Sequence, residues 1–300
     1  MASRWWIYQR ERFPVLTYAA LAGVLAYSAT SFSVLARGAS TAPGAALALP
    51  AALGVFLFFV LMRVADELKD YADDLRYRAY RPVPRGLVKR TELACIGALA
   101  AIGQLVTALV FDPRIMPILA LAWTYLGLMT AEFFVPRWLK ARPFAYLVSH
   151  MPMVGFITLY ASAHDWLPRQ GTPPAGLGWL LMASVFLGVL LEIARKIRAP
   201  ADEERGVDTY TAVWGRPQAV IAWGAALVLA GASGCAAAGH IGFASGFASG
   251  LAVLGIPAVL VAYRFLRRPV RAAARGFEAL SGVATLAAYA ALGPLTLLLA

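Results

Sequence analysis

The run "AALGVFLFFVLM" at 51–62 carries no charge, and the stretch that follows it, "RVADELKDYADDLRYRAYRPVPRG" at 63–86, holds five carboxylates and six arginines or lysines. This alternation recurs along the chain. Apolar segments of about the 20 residues a helix needs to cross a bilayer fall at roughly 14–36, 45–62, 93–111, 115–135, 144–163, 177–194, 217–239, 248–263 and 277–299. They predict an all-α, polytopic membrane protein of nine transmembrane helices, with residues 1–300 as one membrane-embedded domain. The N-terminus "MASRWWIYQRERFP" is aromatic and charged, and the first apolar stretch is too long for an h-region, so the first helix is expected to stay uncleaved.

Composition agrees: 60% of the residues are hydrophobic, 14% are charged and the mean hydropathy is +0.67, well outside the averages for soluble domains. Lys and Arg then set the orientation, because short basic loops stay in the cytoplasm. The N-terminus, 63–90, 136–143, 195–216 and 264–275 hold 24 of the 27, and only Arg37, Arg114 and Arg169 lie elsewhere. With nine spans the two sets fall on opposite faces. The N-terminus and the long loops are therefore expected in the cytoplasm and the C-terminus outside, in the cell (inner) membrane. The net charge of +11 is then mostly topology, an anionic leaflet attracting basic loops, and implies no nucleic acid. Cys95 and Cys235 are too few for a disulfide framework or metal cluster, and packing is their expected role.

The acids are distributed differently. Ten of 16 sit in two places: Asp66, Glu67, Asp70, Asp73 and Asp74 in the first long loop, and Glu192, Asp202, Glu203, Glu204 and Asp208 in the second. Asp66, Asp70 and Asp74 are four apart, which on a continuous helix puts all three on one face, about 6 Å apart along the axis. Like charges so stacked repel, and a charge taken toward hydrocarbon costs about 2.5–3.5 kcal/mol or more, so something cationic should offset them. A hard divalent ion such as Mg²⁺ takes oxygen ligands, commonly one or two carboxylates plus substrate phosphates, and a diphosphate would complete the site. A single charge run after a membrane helix is ordinarily a solvated loop. Two acidic runs on one membrane face, one of them a ladder, point to a metal and phosphate site instead.

These residues resemble the UbiA superfamily of intramembrane prenyltransferases, which have nine helices and two Asp-rich motifs on cytoplasmic loops after helices two and six. The resemblance spans nearly the whole chain. The first family motif, Asn-x3-Asp-x3-Asp followed by Arg-Pro-x3-Gly, reads here as Asp66, Asp70 and Asp74, then Arg81-Pro82 and Gly86. The second, Asp-x3-Asp upstream of Thr-x5-Gly, keeps Thr209 and Gly215 but has Glu192 with Lys196 at i+4. The resemblance implies metal ligands Asp66, Asp70, Asp74, Glu192, Asp202 and Glu203, and the departures imply a divergent branch. It also places Arg12 and Lys140 facing a diphosphate, alongside Arg81.

An allylic diphosphate ionises once its leaving group is stabilised, by Mg²⁺ as Lewis acid and by cations that bind the growing charge. Arg195 and Lys196 are candidates with Arg12 and Lys140, and each also reads as a positive-inside anchor. The allylic cation needs shielding from water and is stabilised by aromatic faces, for which Tyr125, Tyr146, Tyr160 and Phe156 are candidates. His150 reads as an interhelical hydrogen-bonding residue ahead of a base. "SRWWIYQRERF" reads as an interfacial helix, and "GFASGFASG" as a stripe permitting close helix contact. A transporter would hold its ionisable groups near the midplane, and a CDP-alcohol phosphotransferase motif needs an Asp before a Gly, which this chain lacks. The expected activity is Mg²⁺-dependent transfer of a prenyl group from an isoprenoid diphosphate to a lipophilic, apolar or aromatic, acceptor entering from the bilayer. A membrane terpene cyclase acting on the same diphosphate is the alternative. Transfer is preferred because the charged second loop leaves Arg198, Arg205 and Asp208 to orient an acceptor head.

Overall fold

A computed structural model describes residues 3–299; Met1, Ala2 and Ala300, the chain ends whose sides the charge pattern predicts, lie outside the described residues. Among the described residues the regular structure is helical: α1 (Arg4–Arg12), α2 (Val15–Ala36), α3 (Ala45–Lys69), α4 (Tyr71–Tyr77), α5 (Arg90–Phe111), α6 (Met116–Thr130), α7 (Pro136–Lys140), α8 (Pro143–His150), α9 (Pro152–Gln170), α10 (Leu177–Arg195), α11 (Tyr210–Trp214), α12 (Arg216–Gly239), α13 (Ala244–Arg267), α14 (Arg271–Ala291) and α15 (Pro294–Leu299), with three short 3₁₀ turns between them. Every expected apolar segment is helical. Seven stretches are long and apolar enough to cross a membrane: α2, α3, α5, α8 with α9, α10, α12 and α13. The other two expected spans differ. With 15 residues α6 is about 22 Å long, short of the roughly 30 Å hydrocarbon core. The segment 277–299 is divided between α14, which opens with Arg271, Arg275 and Glu278, and α15.

Punctuation follows the local chemistry. Ser3 caps α1 by accepting from the Trp6 amide at 3.2 Å. Pro152 cannot donate to the preceding turn, so α8 ends and α9 begins there. Gly171 and Gly176, at φ 72° and 80°, reverse the chain between α9 and α10.

The helices pack in a closed circuit: α2 against α3 and α9, α3 against α5, α9 against α10, α10 against α12, α12 against α13, α13 against α14, and α14 back against α10 and α2. Small residues set the close approaches. Gly54 of α3 lies under the Tyr160 ring of α9, and Gly231 and Gly234 of α12 receive Leu251 and Phe247 of α13. The stripe expected to make close contact behaves otherwise. Gly242 is a turn residue at φ 72° ahead of α13, and a side chain at Gly250 would meet open space. The outward faces of α5, α12 and α13 expose Leu99, Val110, Val228, Val253 and Val259, a surface suited to lipid. Cys95 is on such an exposed surface and Cys235 is half-buried. Below the bundle, Val83 and Val88 of the first long loop fold back into a small core with Tyr8, Phe13, Val64 and Leu93. That core ties α1 to the end of α3, where the acids are.

Candidate active site

Helix α3 ends at Lys69 because Asp70, at φ −86° and ψ 4°, leaves helical geometry while serving both as the last cap of α3 and the first of α4. The i→i−4 bonds nevertheless continue across the bend, Asp70 N–H to Asp66 C=O at 2.9 Å and Asp74 N–H to Asp70 C=O at 2.8 Å. The three-carboxylate ladder is therefore split over two helices. Its members have different surroundings. Asp74 is only 2% exposed and is held by Arg78 at 2.7 Å and Arg81 at 2.8 Å. Asp66 and Asp70 are half-buried and, among the described residues, their carboxylates have no hydrogen-bond or ion-pair partner. Burial pushes the Asp70 carboxyl above the usual carboxylate range; Lys69 and Lys140 oppose the rise, and Asp66 and Asp74 add to it.

The basic residues expected to face a diphosphate are mostly matched to acids. Arg12 bonds the buried Glu67 at 2.5 Å, Arg81 holds Asp74, and Lys140 reaches Asp73 at 2.9 Å. Glu192 is clasped by Arg195 and, at 3.0 Å, by Lys196. The rest of the second acidic run is used locally. Asp202 is bound by Arg271, Glu203 accepts from the Thr209 and Thr211 hydroxyls at 2.6 and 2.7 Å, and Glu204 bonds Arg198 at 3.2 Å and Tyr80 at 3.0 Å. The Arg271 guanidinium holds the Asp202 carboxyl below its usual range. Arg198 is thus engaged within its own loop, while Arg205 and Asp208 are exposed. Among the described residues no three acids, histidines or cysteines gather as a metal-ligand group, so the expected six-carboxylate set is not brought together. What the fold does juxtapose is the end of α3 and the end of α10: Asp66 lies within Coulombic reach of Lys69, Arg195 and Glu192.

Sequence reasoning missed the group that bridges these ends. Lys69 donates to the Tyr146 hydroxyl at 2.7 Å and lies 3.8 Å from the buried Glu132. Glu132, Phe133 and Phe134 have φ of 49°, 52° and 61°, three consecutive non-glycine residues in the left-handed region. Each costs of order 1–3 kcal/mol and persists only where packing imposes it. Nothing in "AEFFVPR" signals that turn except Pro136, which disfavours helix just before it. One turn below the Lys69 bond, the His150 ring stacks on Tyr146 at 3.9 Å with the planes 10° apart, and Phe133 meets it edge-on at 6.0 Å. Tyr125 packs against Phe133 and Phe156 and fixes α8 by donating to the Ser149 carbonyl at 2.7 Å. Three of the four expected aromatic residues therefore belong to one aromatic cluster. Tyr160 does not; it packs with Phe58 and His164. At the rim, Lys196 sits 5.4 Å from the Tyr210 ring centre, and burial raises the Tyr210 hydroxyl above its ordinary range, with Glu192 adding to the rise.

His150 Nδ1 lies 2.9 Å from the Tyr146 carbonyl, which can only accept, so Nδ1 carries the proton and Nε2 the lone pair. Nε2 is buried and has no partner among the described residues.

No family model matches the chain, and no curated protein does. Two solved structures are similar. The apo structure of a UbiA homolog from Aeropyrum pernix K1 superposes with a TM-score of 0.66 at 15% identity, over 89% of this chain and 98% of that one. A digeranylgeranylglyceryl phosphate synthase superposes with a TM-score of 0.57 at 16% identity, over 96% of this chain and 98% of that one. The likeness is one of fold: this chain is built as a UbiA-type helical bundle.

Proposed function

We propose that the protein is an intramembrane prenyltransferase that ionises an isoprenoid diphosphate at Asp66 and Asp70 and passes the prenyl group to a lipophilic acceptor. The observation that carries this reading is the pair of unpartnered carboxylates at the end of α3, set beside cations of α3 and α10 and next to an aromatic cluster that Lys69 reaches through the Tyr146 hydroxyl. Unpaired among the described residues, Asp66 and Asp70 are the donor set a Mg²⁺ ion commonly takes before phosphate oxygens fill the remainder. Glu192, Asp202 and Glu203, already neutralised or hydrogen-bonded, fit that role less well. Bound there, Mg²⁺ would act as Lewis acid on the leaving diphosphate.

The chain's own groups supply the rest. Lys69, Arg195 and Lys196 bind charge that grows on the diphosphate as the allylic carbon–oxygen bond breaks and its electron pair leaves with the phosphate. Arg12 and Arg81 hold Glu67 and Asp74 and so position the carboxylates rather than touch substrate. The faces of Tyr146, Phe133, Tyr125 and Phe156 shield the allylic cation from water. A hydroxyl-bearing acceptor adds its oxygen lone pair to that carbon, and its proton passes to His150 Nε2. Two things support a hydroxyl acceptor: the unpartnered Nε2 lone pair, and the structural likeness to a synthase whose name is that of a prenylated glyceryl phosphate. In this reading the seven long apolar stretches span the membrane, α6 and the α14–α15 pair complete the bundle, and the site faces the cytoplasm.

The test is incubation of the purified protein with Mg²⁺, prenyl diphosphates of several lengths and a panel of lipophilic alcohols and phenols, followed by mass spectrometry of the organic extract. A prenylated acceptor is expected. A cyclic hydrocarbon or alcohol formed at catalytic turnover from the diphosphate alone would replace transfer by cyclisation.

A further inference from the structure

Away from this site, a cavity of about 750 Å³ opens where α13 ends and α14 begins, lined by Arg264, Arg267 and Arg268 over a floor that includes Val261, Val270 and Gly276. Some arginines elsewhere in the polar loops are matched by acids, as Arg78 and Arg81 are by Asp74, Arg85 by Glu11 and Arg198 by Glu204, and others, such as Arg76, Arg137 and Arg142, stand singly among the described residues; what sets this cavity apart is that it gathers three. The three in this cavity have no acidic partner among the described residues. No Asp or Glu occurs between Asp208 and Glu278, and the Asp202 carboxylate that reaches the region is taken by Arg271. Two of the three, Arg264 and Arg267, lie in the last turn of α13, where the helix dipole favours a cation. Arg268 lies beyond that turn and the start of α14 is itself a positive helix end, so mutual repulsion in the cavity remains unanswered.

We propose that this cavity binds the phosphate headgroup of an anionic glycerophospholipid. Guanidinium groups take phosphate oxygens in a two-pronged geometry, so three of them around one cavity complement a phosphodiester. The walls favour a lipid over a soluble anion. Val259, Tyr263 and Leu266 expose their side chains along the same end of α13, and Arg267 lies 5.4 Å from the Tyr263 ring centre, an aromatic placement typical of headgroup depth. The phosphate would sit among the arginines, with the glycerol and upper acyl chains against Val261 and Val270. Nothing in this site depends on the prenyl-transfer reading.

The full chain in detergent, mixed with equimolar phosphatidylglycerol and phosphatidylcholine, is read by native mass spectrometry. Retention of phosphatidylglycerol in about tenfold preference is expected, since the three arginines favour the net negative charge that phosphatidylcholine lacks. The variant R264Q/R267Q/R268Q should bring the preference close to one, whereas R137Q/R142Q, on exposed arginines of another loop, should leave it unchanged. The charge-preserving R264K/R267K/R268K should keep most of it, which separates loss of the site from loss of the fold. No preference in the wild type, an undiminished preference in the glutamine variant, or displacement of the lipid by millimolar inorganic phosphate would each overturn the proposal, the last by making this a site for soluble anions. A preference lost equally in R137Q/R142Q would also overturn it, because a diffuse basic surface would then suffice.

Discussion

Asp70 lies where its surroundings disfavour the charge that a cation site requires of it. A carboxyl whose pKa is raised on folding binds its proton more tightly in the native state than in the unfolded chain, so ionising it at neutral pH subtracts from stability. Without divalent cations, Asp70→Asn should therefore raise the melting midpoint at pH 7. The gain should vanish below about pH 4, where the carboxyl is protonated in both states. The same variant should lower turnover of a prenyl diphosphate by about 10²–10³. A lower midpoint at pH 7 would mean that the native carboxylate is held by partners, and turnover near wild type would remove Asp70 from the site. His150 separates the two halves of the reaction. His150→Phe should keep diphosphate release close to the wild-type rate while acceptor prenylation falls by about 10²-fold or more, with prenyl alcohol from water accumulating instead. Equal loss of both would make the imidazole a packing residue.

At the scale of elements, the acids work through a bend and not along one face. The spacing of Asp66, Asp70 and Asp74 is that of a ladder, but the Arg78 and Arg81 pair draws Asp74 into a buried ion cluster and α4 starts afresh at Asp70. The strained turn at Glu132–Phe134 does the complementary task on the facing side, setting a buried carboxylate beside Lys69 and Phe133 beside His150. Both depend on α3 lying tightly against α9. Gly54 permits that contact: a Cβ there would land on the Tyr160 ring, and the Gly54 carbonyl also accepts from the Gln104 side chain at 2.9 Å. Gly54→Val should destabilise the protein by about 1–3 kcal/mol through overpacking, and Gly54→Val/Tyr160→Leu should recover part of the loss. A double variant no more stable than the single one would place the glycine's importance elsewhere.

Across the whole molecule, the three arginines that depart from the basic-loop pattern are each paired with a carboxylate, Arg37 and Arg169 sharing one. Asp165, completely buried, accepts from Ser33 at 2.7 Å and pairs with Arg37 and Arg169 at 2.9 Å, while Arg114 pairs with Asp112 at 3.0 Å. Positive charges at that end of the bundle are thus carried as ion pairs. Asp165→Asn should cost about 3–5 kcal/mol, the penalty for leaving buried charge without its counterion; a variant as stable as wild type would show the cluster to be solvated. Cysteines introduced at 140 and 169 should label oppositely in intact cells, 169 from outside and 140 only after lysis. The reverse pattern would invert the topology.

The sequence by itself determined the membrane class, the helical segments and the two places where acids collect, because apolar length, loop charge and i+4 spacing are local properties that survive any tertiary arrangement. Arg12, Arg81, Lys140, Arg195 and Lys196 were expected to face a diphosphate, and that each is instead paired with a particular acid was not legible. A cation and a carboxylate pair by distance in space, and Arg12 and Glu67 are 55 residues apart. Only the tertiary structure decided that Asp74 is consumed by its neighbours while Asp66 and Asp70 have no partner among the described residues, that Asp202 and Glu203 are taken by Arg271 and two threonines, and that Lys69, Glu132, Tyr146 and His150 converge. Those outcomes rest on a helix bend, a left-handed turn and the docking of α3 against α9, where packing overrides the local preference of the residues involved.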